Sequence, residues 1–208
     1  IDVKTVNYRM MDDNIGYIQI EEFDEVTSDQ FSQALDSLIE QGMEALVIDI
    51  RNNPGGILDT VVAMLDELLP EGTIVSVKDR NGTAQEYTSD ADTKLTVPLT
   101  VLINGNSASA SEIFAGAIKD YGVGTLVGTT TYGKGIVQTA FSLSDGTGVK
   151  ITIEDYYLPS GKSIHKVGVD PDVEIDLPDE LKTYVTIPED EDVQLQKAIE
   201  ILKEQLQK

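Results

Sequence analysis

The chain has 208 residues, of which 25% are charged and 40% hydrophobic, enough for one well-buried core in an ordinary soluble protein. Against 37 acidic residues stand 15 basic ones, and the net charge of −22 argues against nucleic acid or anionic lipid as partners. No apolar run of about 18 residues occurs, so no membrane span is predicted. The absence of cysteine excludes disulfides and thiolate zinc sites.

The first half of the chain predicts a βαβ unit followed by a helix and a hairpin. The pattern Thr27-Ser-Asp-Gln30 is typical of a capping box at a helix start, and Gly42 is placed to end that helix. The turn Asn81-Gly82 favours a type I′ hairpin. Strands are predicted at 3–9, 16–20, 45–50, 73–80 and 83–87, and helices from 27 to 42 and at 58–69.

The second half continues the alternation of strands and helices. Strands are predicted at 99–103, 124–128, 136–141 and 149–157, and helices at 107–120 and 192–207. The runs at 45–50 and 99–103 are apolar except for Asp49 and Thr100, which is typical of parallel strands buried on both faces. The order of elements therefore predicts an α/β fold with an antiparallel β portion attached.

Ser109 lies where a strand gives way to a helix, with alanine on both sides. The first turn of a helix has free N–H groups and a positive dipole end, which favour a developing oxyanion. The same position suits an N-cap, because Ser109-x-x-Glu112 fits a capping box. Ser107 and Ser111 are rival nucleophiles.

Lys134 follows Ser109 by 25 positions and stands between two glycines, away from any local acidic cluster. A lysine acts as a general base only when neutral, and burial lowers the pKa of a lysine because desolvation disfavours the charged form. In an extended segment residues 134, 136 and 138 share a face, which places Gln138 to hydrogen-bond the lysine amine. The alternative is a solvated lysine on a surface hairpin.

A glycine-rich loop and a single histidine complete the set of candidates. Asn53-Pro54-Gly55-Gly56 can offer a main-chain N–H to an oxyanion, or form a plain turn before the next helix. No Gly-Lys-Ser/Thr follows it, which excludes a phosphate-binding loop. His165 could complete a Ser-His-Asp triad, although nothing in the sequence pairs it with Ser109. No spacing of histidine and carboxylates indicates a metal site.

Taken together, six motifs spread over nearly the whole chain resemble the carboxyl-terminal processing peptidases, also called tail-specific proteases. The six motifs are Asn14-Ile-Gly-Tyr-Ile-Gln-Ile, Asp49-Ile-Arg-Asn-Asn-Pro-Gly-Gly, Ser107-Ala-Ser-Ala-Ser-Glu, Tyr132-Gly-Lys-Gly-Ile-Val-Gln, Tyr157-Leu-Pro-Ser-Gly-Lys-Ser-Ile and Gly168-Val-Asp-Pro-Asp-Val. The resemblance implies that Ser109 is the nucleophile, Lys134 the base and Gln138 its support. It also implies an oxyanion hole formed by the amides of Gly55 and Ala110.

The same resemblance implies a ClpP/crotonase-like layered core and a serine endopeptidase that cleaves near the C-terminus of its substrates. Residues 1–208 would form the catalytic core, with no metal or organic cofactor. The partners would be proteins or peptides bound through their C-terminal region. Because the chain begins at Ile1 without a methionine or a signal segment, we expect a mature product or an excised domain. The family implies an extracytoplasmic location.

The sequence departs from the family pattern in two places. No PDZ domain is visible before the core, and Asn106 stands where the family often has glycine. Two rivals therefore stay open: a non-catalytic peptide- or ligand-binding module of the same fold, and a crotonase-type acyl-CoA enzyme. The second needs a nucleotide-binding surface, for which an acidic chain without a basic cluster is a poor host.

Overall fold

The computed structural model describes residues 3–93, 95–182, 184 and 187–207, and only the backbone of residues 138–140, 150 and 153. The helices are α1 (Thr27–Glu40), α2 (Leu58–Asp66), α3 (Ala110–Tyr121) and α4 (Val193–Leu206), with one 3-10 turn at Asp12–Asn14. The strands are β1 (Val6–Met10), β2 (Ile15–Ile20), β3 (Ala45–Asp49), β4 (Gly72–Asp79), β5 (Ala84–Ser89), β6 (Leu99–Ile103), β7 (Thr125–Gly128), β8 (Ile136–Ser142), β9 (Gly148–Tyr157) and β10 (Val173–Glu174).

The larger sheet has six strands in the order β1-β2-β3-β6-β7-β10. β1 is antiparallel to β2, and every other neighbouring pair is parallel. Every residue of β3 and β6 is buried, as their apolar runs predict. Leu46 and Ile48 point into the main core with α1, α2 and α3, whereas Ala45 and Val47 point to the opposite face, where α4 packs. The predicted α/β layering is confirmed.

The smaller sheet is antiparallel, with the order β5-β4-β9-β8. It is the antiparallel portion that the sequence predicts, and its two outer strands are β5 and β8. The residue Tyr156 on β9 belongs to the main core, so the two sheets share one hydrophobic interior. Among the described residues, no helix is both long and apolar enough to cross a membrane.

The predicted capping box at the start of α1 is wrong. The helix begins at Thr27, and its N-cap residue Val26 makes no side-chain cap. Gln30 does not turn back on the helix; its Oε1 accepts hydrogen bonds from the amides of Thr5 (3.0 Å) and Val6 (3.2 Å). These amides lie at the start of β1. Gln30 accepts their hydrogen bonds and therefore does not accept one from an amide at the start of α1. Gly42 ends the helix with φ 83°, as expected.

The predicted type I′ turn between β4 and β5 is also wrong. That turn requires positive φ at both central residues, but of Asn81 and Gly82 only Gly82 has it (φ 83°). Asp79 Oδ1 accepts the amides of Asn81 and Thr83, both at 2.8 Å. The Asp79 carboxylate thus supports a longer loop that the dipeptide alone does not reveal. The two-residue strand β10 was not predicted at all.

Candidate active site

Ser109 is the residue between the turn after β6 and the first turn of α3. It is the N-cap of α3, with φ 55° and ψ −114°, and it is 9% exposed. Positive φ is uncommon outside glycine and costs on the order of 1–3 kcal/mol for a residue with a side chain. The strand–turn–helix position of the prediction is therefore confirmed, and the backbone at this serine is strained.

The two rival serines are tied to the protein main chain. Ser107 Oγ donates to Ile50 O (2.8 Å), and Ser111 Oγ donates to Asn53 O (2.9 Å). Both serines are fully buried. Their hydroxyls join the turn that carries Ser109 to the loop that follows β3, so they support the turn and are not presented to a substrate.

The glycine loop lies directly against this turn. A Cβ on Gly55 would stand 2.8 Å from Ser109 Cβ and 2.9 Å from Ala110 N, and Gly55 has φ 101°. Only glycine permits that approach. The Ala110 amide has no acceptor among the described residues, whereas the Gly55 amide donates to Asn53 Oδ1 (2.8 Å). The two predicted oxyanion donors are neighbours, and the Ala110 amide is the unoccupied one.

The buried carboxylate of Glu112 joins the turn that carries Ser109 to the loop that carries Lys134, the lysine loop (residues 129–135). Its Oε2 accepts the amides of Ser109 (2.9 Å) and Lys134 (2.8 Å). Its Oε1 accepts the Gly133 amide (2.7 Å) and the Thr131 hydroxyl (2.6 Å). Glu112 is fully buried, so four donors replace the water that the charge gives up. The backbones of Ser109 and Lys134, 25 residues apart in sequence, meet at a single oxygen atom.

The lysine loop is held from its other sides as well. The Tyr132 amide donates to Ser107 O (3.0 Å), and the Lys166 amide donates to Gly133 O (2.8 Å). Lys134 is partly buried and forms no ion pair with any described carboxylate. Gln138 lies in β8, but its side chain is outside the described part of the structure. Its predicted contact with the lysine amine therefore stays a prediction.

His165 lies beside the lysine loop and not at the serine. A Cβ on Gly135 would stand 2.5 Å from the His165 amide nitrogen. That amide donates to Ser163 Oγ (3.3 Å), and His165 Nδ1 is buried without a partner among the described residues. No hydrogen bond joins His165 to Ser109, so the described structure does not assemble the alternative Ser-His-Asp triad.

Tyr156 belongs to the site although the sequence did not single it out. It is buried on β9, and its amide donates to Gly135 O in the lysine loop (3.0 Å). Burial raises the pKa of Tyr156, and the neighbouring Ser109 side chain opposes that rise. The Tyr156 side chain thus lies near Ser109. A tyrosine near the end of a long strand carries no sequence signal of such a contact.

A buried ionic network is centred on Arg51, which lies between β3 and the glycine loop. The Arg51 guanidinium pairs with Asp49 (2.6 Å) and with Asp192 (2.8 Å), all three side chains at most 10% exposed. Asp192 also caps α4 by accepting the Leu195 amide (3.0 Å). The Tyr17 hydroxyl donates to Asp49 (2.8 Å), and burial together with that carboxylate raises the pKa of Tyr17. The network fixes α4 to the start of the glycine loop.

Residues 14–175 match the family model described as peptidase family S41, and the chain belongs to that family. The resemblance seen in the sequence is confirmed. The chain is 40% identical over 189 residues to the carboxyl-terminal-processing protease of Synechocystis, covering 91% of this chain and 44% of that protein. It is 39% identical to the carboxy-terminal processing protease CtpA of Bacillus subtilis, covering 88% and 39% respectively. The chain thus spans less than half the length of these relatives.

Solved structures show the same fold. The photosystem II D1 C-terminal processing protease superposes with a TM-score of 0.77 at 36% identity, over 88% of this chain and 52% of that one. A lipoprotein from Streptococcus agalactiae superposes with a TM-score of 0.75 at 21% identity, over 98% of this chain and 71% of that one. At that identity, the second likeness concerns the fold alone.

Proposed function

We propose that this chain is the catalytic core of a serine endopeptidase that cleaves proteins near their C-terminus with a Ser109–Lys134 dyad. The observation that carries the proposal is the Glu112 oxygen that accepts the amides of both residues. Membership of family S41 supports the reaction class, and the names of the relatives support C-terminal processing. The layered arrangement is consistent with a ClpP/crotonase-like core.

The proposed chemistry starts when neutral Lys134 Nζ takes the proton of Ser109 Oγ, which attacks the scissile carbonyl carbon. The resulting oxyanion accepts a hydrogen bond from the Ala110 amide, the first free N–H of α3. The Gly55 amide takes part only by sharing or releasing its bond to Asn53. Lysine then gives its proton to the leaving amine, and an acyl-enzyme forms. Water then attacks the acyl carbonyl while Lys134 takes its proton. The bond between the acyl carbon and Ser109 Oγ breaks, Lys134 returns the proton to Oγ, and the second product leaves as a carboxylic acid.

Two features distinguish Lys134 as the candidate base. Its side chain is partly buried, and it pairs with no described carboxylate although the chain has a net charge of −22. The Glu112 carboxylate stands close by but is occupied by main-chain amides and a hydroxyl. Both of its oxygens therefore already accept hydrogen bonds.

Gln138 is proposed to orient the lysine amine through one hydrogen bond. Its support is the family resemblance and its position four residues after Lys134 in β8. Because orientation of a base affects rate more than binding, Gln138→Ala should lower kcat and leave KM nearly unchanged. A defect confined to KM would remove this role from Gln138 and leave the dyad untouched.

The experiment that tests the proposal compares hydrolysis of a C-terminal peptide by the wild type, Ser109→Ala and Ser37→Ala. Ser37 is a half-exposed serine of α1 and serves as the matched control. We expect Ser109→Ala to fold and to lose hydrolysis and fluorophosphonate labelling, since a lost cap costs only about 1 kcal/mol. Full activity of Ser109→Ala would refute the assignment. A wild type that binds peptide but is neither labelled nor active would indicate the binding module instead.

A further inference from the structure

The strand β8 is a free edge of the smaller sheet, and it begins directly after the lysine loop. In the order β5-β4-β9-β8 it has one neighbour, and its first residue Ile136 follows Lys134 by two positions. The Lys134 amide is held by Glu112, the same carboxylate that holds Ser109. A chain lying along this edge would therefore lead directly to the proposed reacting atoms.

The pairing with β9 shows which main-chain groups of β8 point outward. The Tyr156 amide donates to Gly135 O (3.0 Å), and the Leu143 amide donates to Thr147 O (2.7 Å). Odd-numbered residues of β8 thus face β9, and the outward groups are those of the even-numbered residues 136, 138, 140 and 142. For Ile136 and Ser142, whose contacts the structure describes, no described residue outside β9 supplies a backbone partner.

This edge lacks the protection that the other sheet edges carry. Exposed edges are commonly blunted by a charged residue or a proline. The edge strands β1, β5 and β10 contain Arg9, Glu86 and Glu174 respectively. The seven residues of β8, Ile-Val-Gln-Thr-Ala-Phe-Ser, include neither a charge nor a proline, although a quarter of the chain is charged. An unprotected edge is free to pair with another strand.

One face of the hairpin beside this edge is apolar and exposed. Phe141 is 47% exposed and lies directly opposite Val149, which is 39% exposed. Ile151, two residues further along β9, is 47% exposed and shares that face. A strand added to β8 would place every second side chain on this face and the others away from it. Apolar residues at alternate positions of the added strand would bury area here.

We propose that β8 receives an extended segment of the substrate as a fifth strand of the smaller sheet, held by main-chain hydrogen bonds and by apolar contacts at alternate residues. The inference rests on the proposed peptidase function for its choice of occupant, because the edge runs into the Ser109–Lys134 site. An uncharged or apolar segment fits, since neither β8 nor the exposed face offers a charge to pair with. This mode of recognition reads the backbone first and side chains second.

The first test is an N-methyl scan of a 12-residue uncharged peptide that carries the cleavage site. Binding of each singly methylated peptide to the Ser109→Ala protein is measured by fluorescence anisotropy, and cleavage by the wild type. In an added strand only alternate amides bond to β8, so losses should recur with a period of two, at about 2- to 10-fold each. A scan without alternation, or no binding at all, overturns the proposal.

The second test changes the protein edge. Ala140→Pro removes an outward amide and leaves the ladder to β9, whereas Ala140→Val keeps the amide. We expect weaker peptide binding and a higher KM for Ala140→Pro only, with matching circular dichroism for both. Equal binding by the two overturns the strand addition. If the proline variant does not fold, the N-methyl scan decides alone.

These outcomes also separate the two proposals. Alternating losses in binding with no hydrolysis by the wild type would support the added strand and refute the peptidase function. Ser109-dependent hydrolysis without alternation would do the reverse.

Discussion

Replacing Glu112 by glutamine tests the connection between serine and lysine most directly. Glu112→Gln keeps the size of the side chain but turns one accepting oxygen into an NH2 group. In one orientation the amides of Ser109 and Lys134 lose their acceptor, and in the other the Gly133 amide does. The second orientation is the cheaper one and orphans one buried N–H at about 1–3 kcal/mol, so we expect the free energy of unfolding to fall by about 1–3 kcal/mol.

The assay is urea unfolding, with Glu44→Gln as the matched control. Glu44 is exposed, so this variant should stay within about 0.5 kcal/mol of the wild type. For a chain of this size the expected loss corresponds to a melting temperature lower by about 2–12 °C. Equal stability of the two variants would refute the view that Glu112 is held by four donors.

Activity gives a second, independent measure of the same variant. At a temperature where Glu112→Gln is fully folded, kcat should fall at least about 10-fold because the relative placement of nucleophile and base is relaxed. The rate of fluorophosphonate labelling should fall with it. Unchanged kcat in a destabilised variant would show that Glu112 supports the fold without positioning the dyad.

Three further predictions concern single residues. Lys134→Arg should be as inactive in peptide hydrolysis as Lys134→Ala, because arginine stays protonated, and substantial turnover would exclude lysine as the base. Gly55→Ala should lose more stability and activity than Gly42→Ala: both positions have positive φ, but only the first would drive a Cβ against Ser109. For Asp79, the Thr83 amide first and then the Asn81 amide hold its pKa below its usual range. Because the folded pKa is the lower one, this stabilisation is present above the unfolded value of about 3.9 and lost as pH falls through the folded value; an NMR midpoint at or above about 3.9 would contradict it.

The elements that the sequence predicted well are those whose signal is local. β3 and β6 were predicted correctly because a short, almost wholly apolar run is typical of a strand buried on both faces. Ser109 at the start of α3 was predicted from the strand, the small residues and the helical pattern that follow one another in the chain. For such features neighbouring residues carry the whole argument.

The errors and omissions have the opposite character. Gln30 stands where a capping box would have its second residue, but its side-chain oxygen accepts two amides at the start of β1, about 25 positions away. Glu112 was predicted only as part of a cap, because its bonds to Gly133 and Lys134 depend on how distant loops fold back. Tyr156 reaches Ser109 through the pairing of the smaller sheet. The hydrogen bonds of these residues are made to partners that are distant in sequence, and a local sequence pattern does not reveal such partners.

The backbone of Ser109 has a thermodynamic consequence for the whole molecule. Glycine would adopt φ 55° and ψ −114° at little cost, and the protein has glycine at many of its other positive-φ positions. Keeping a hydroxyl-bearing residue there sacrifices on the order of 1–3 kcal/mol, a noticeable part of the 5–15 kcal/mol typical of a folded domain. Glycine at this position would make the fold more stable than serine or alanine, so Ser109→Gly should melt above Ser109→Ala; if Ser109 is the nucleophile as proposed, neither variant cleaves peptide. A serine at position 109 thus lowers the free energy of unfolding relative to glycine, and only the serine offers a hydroxyl.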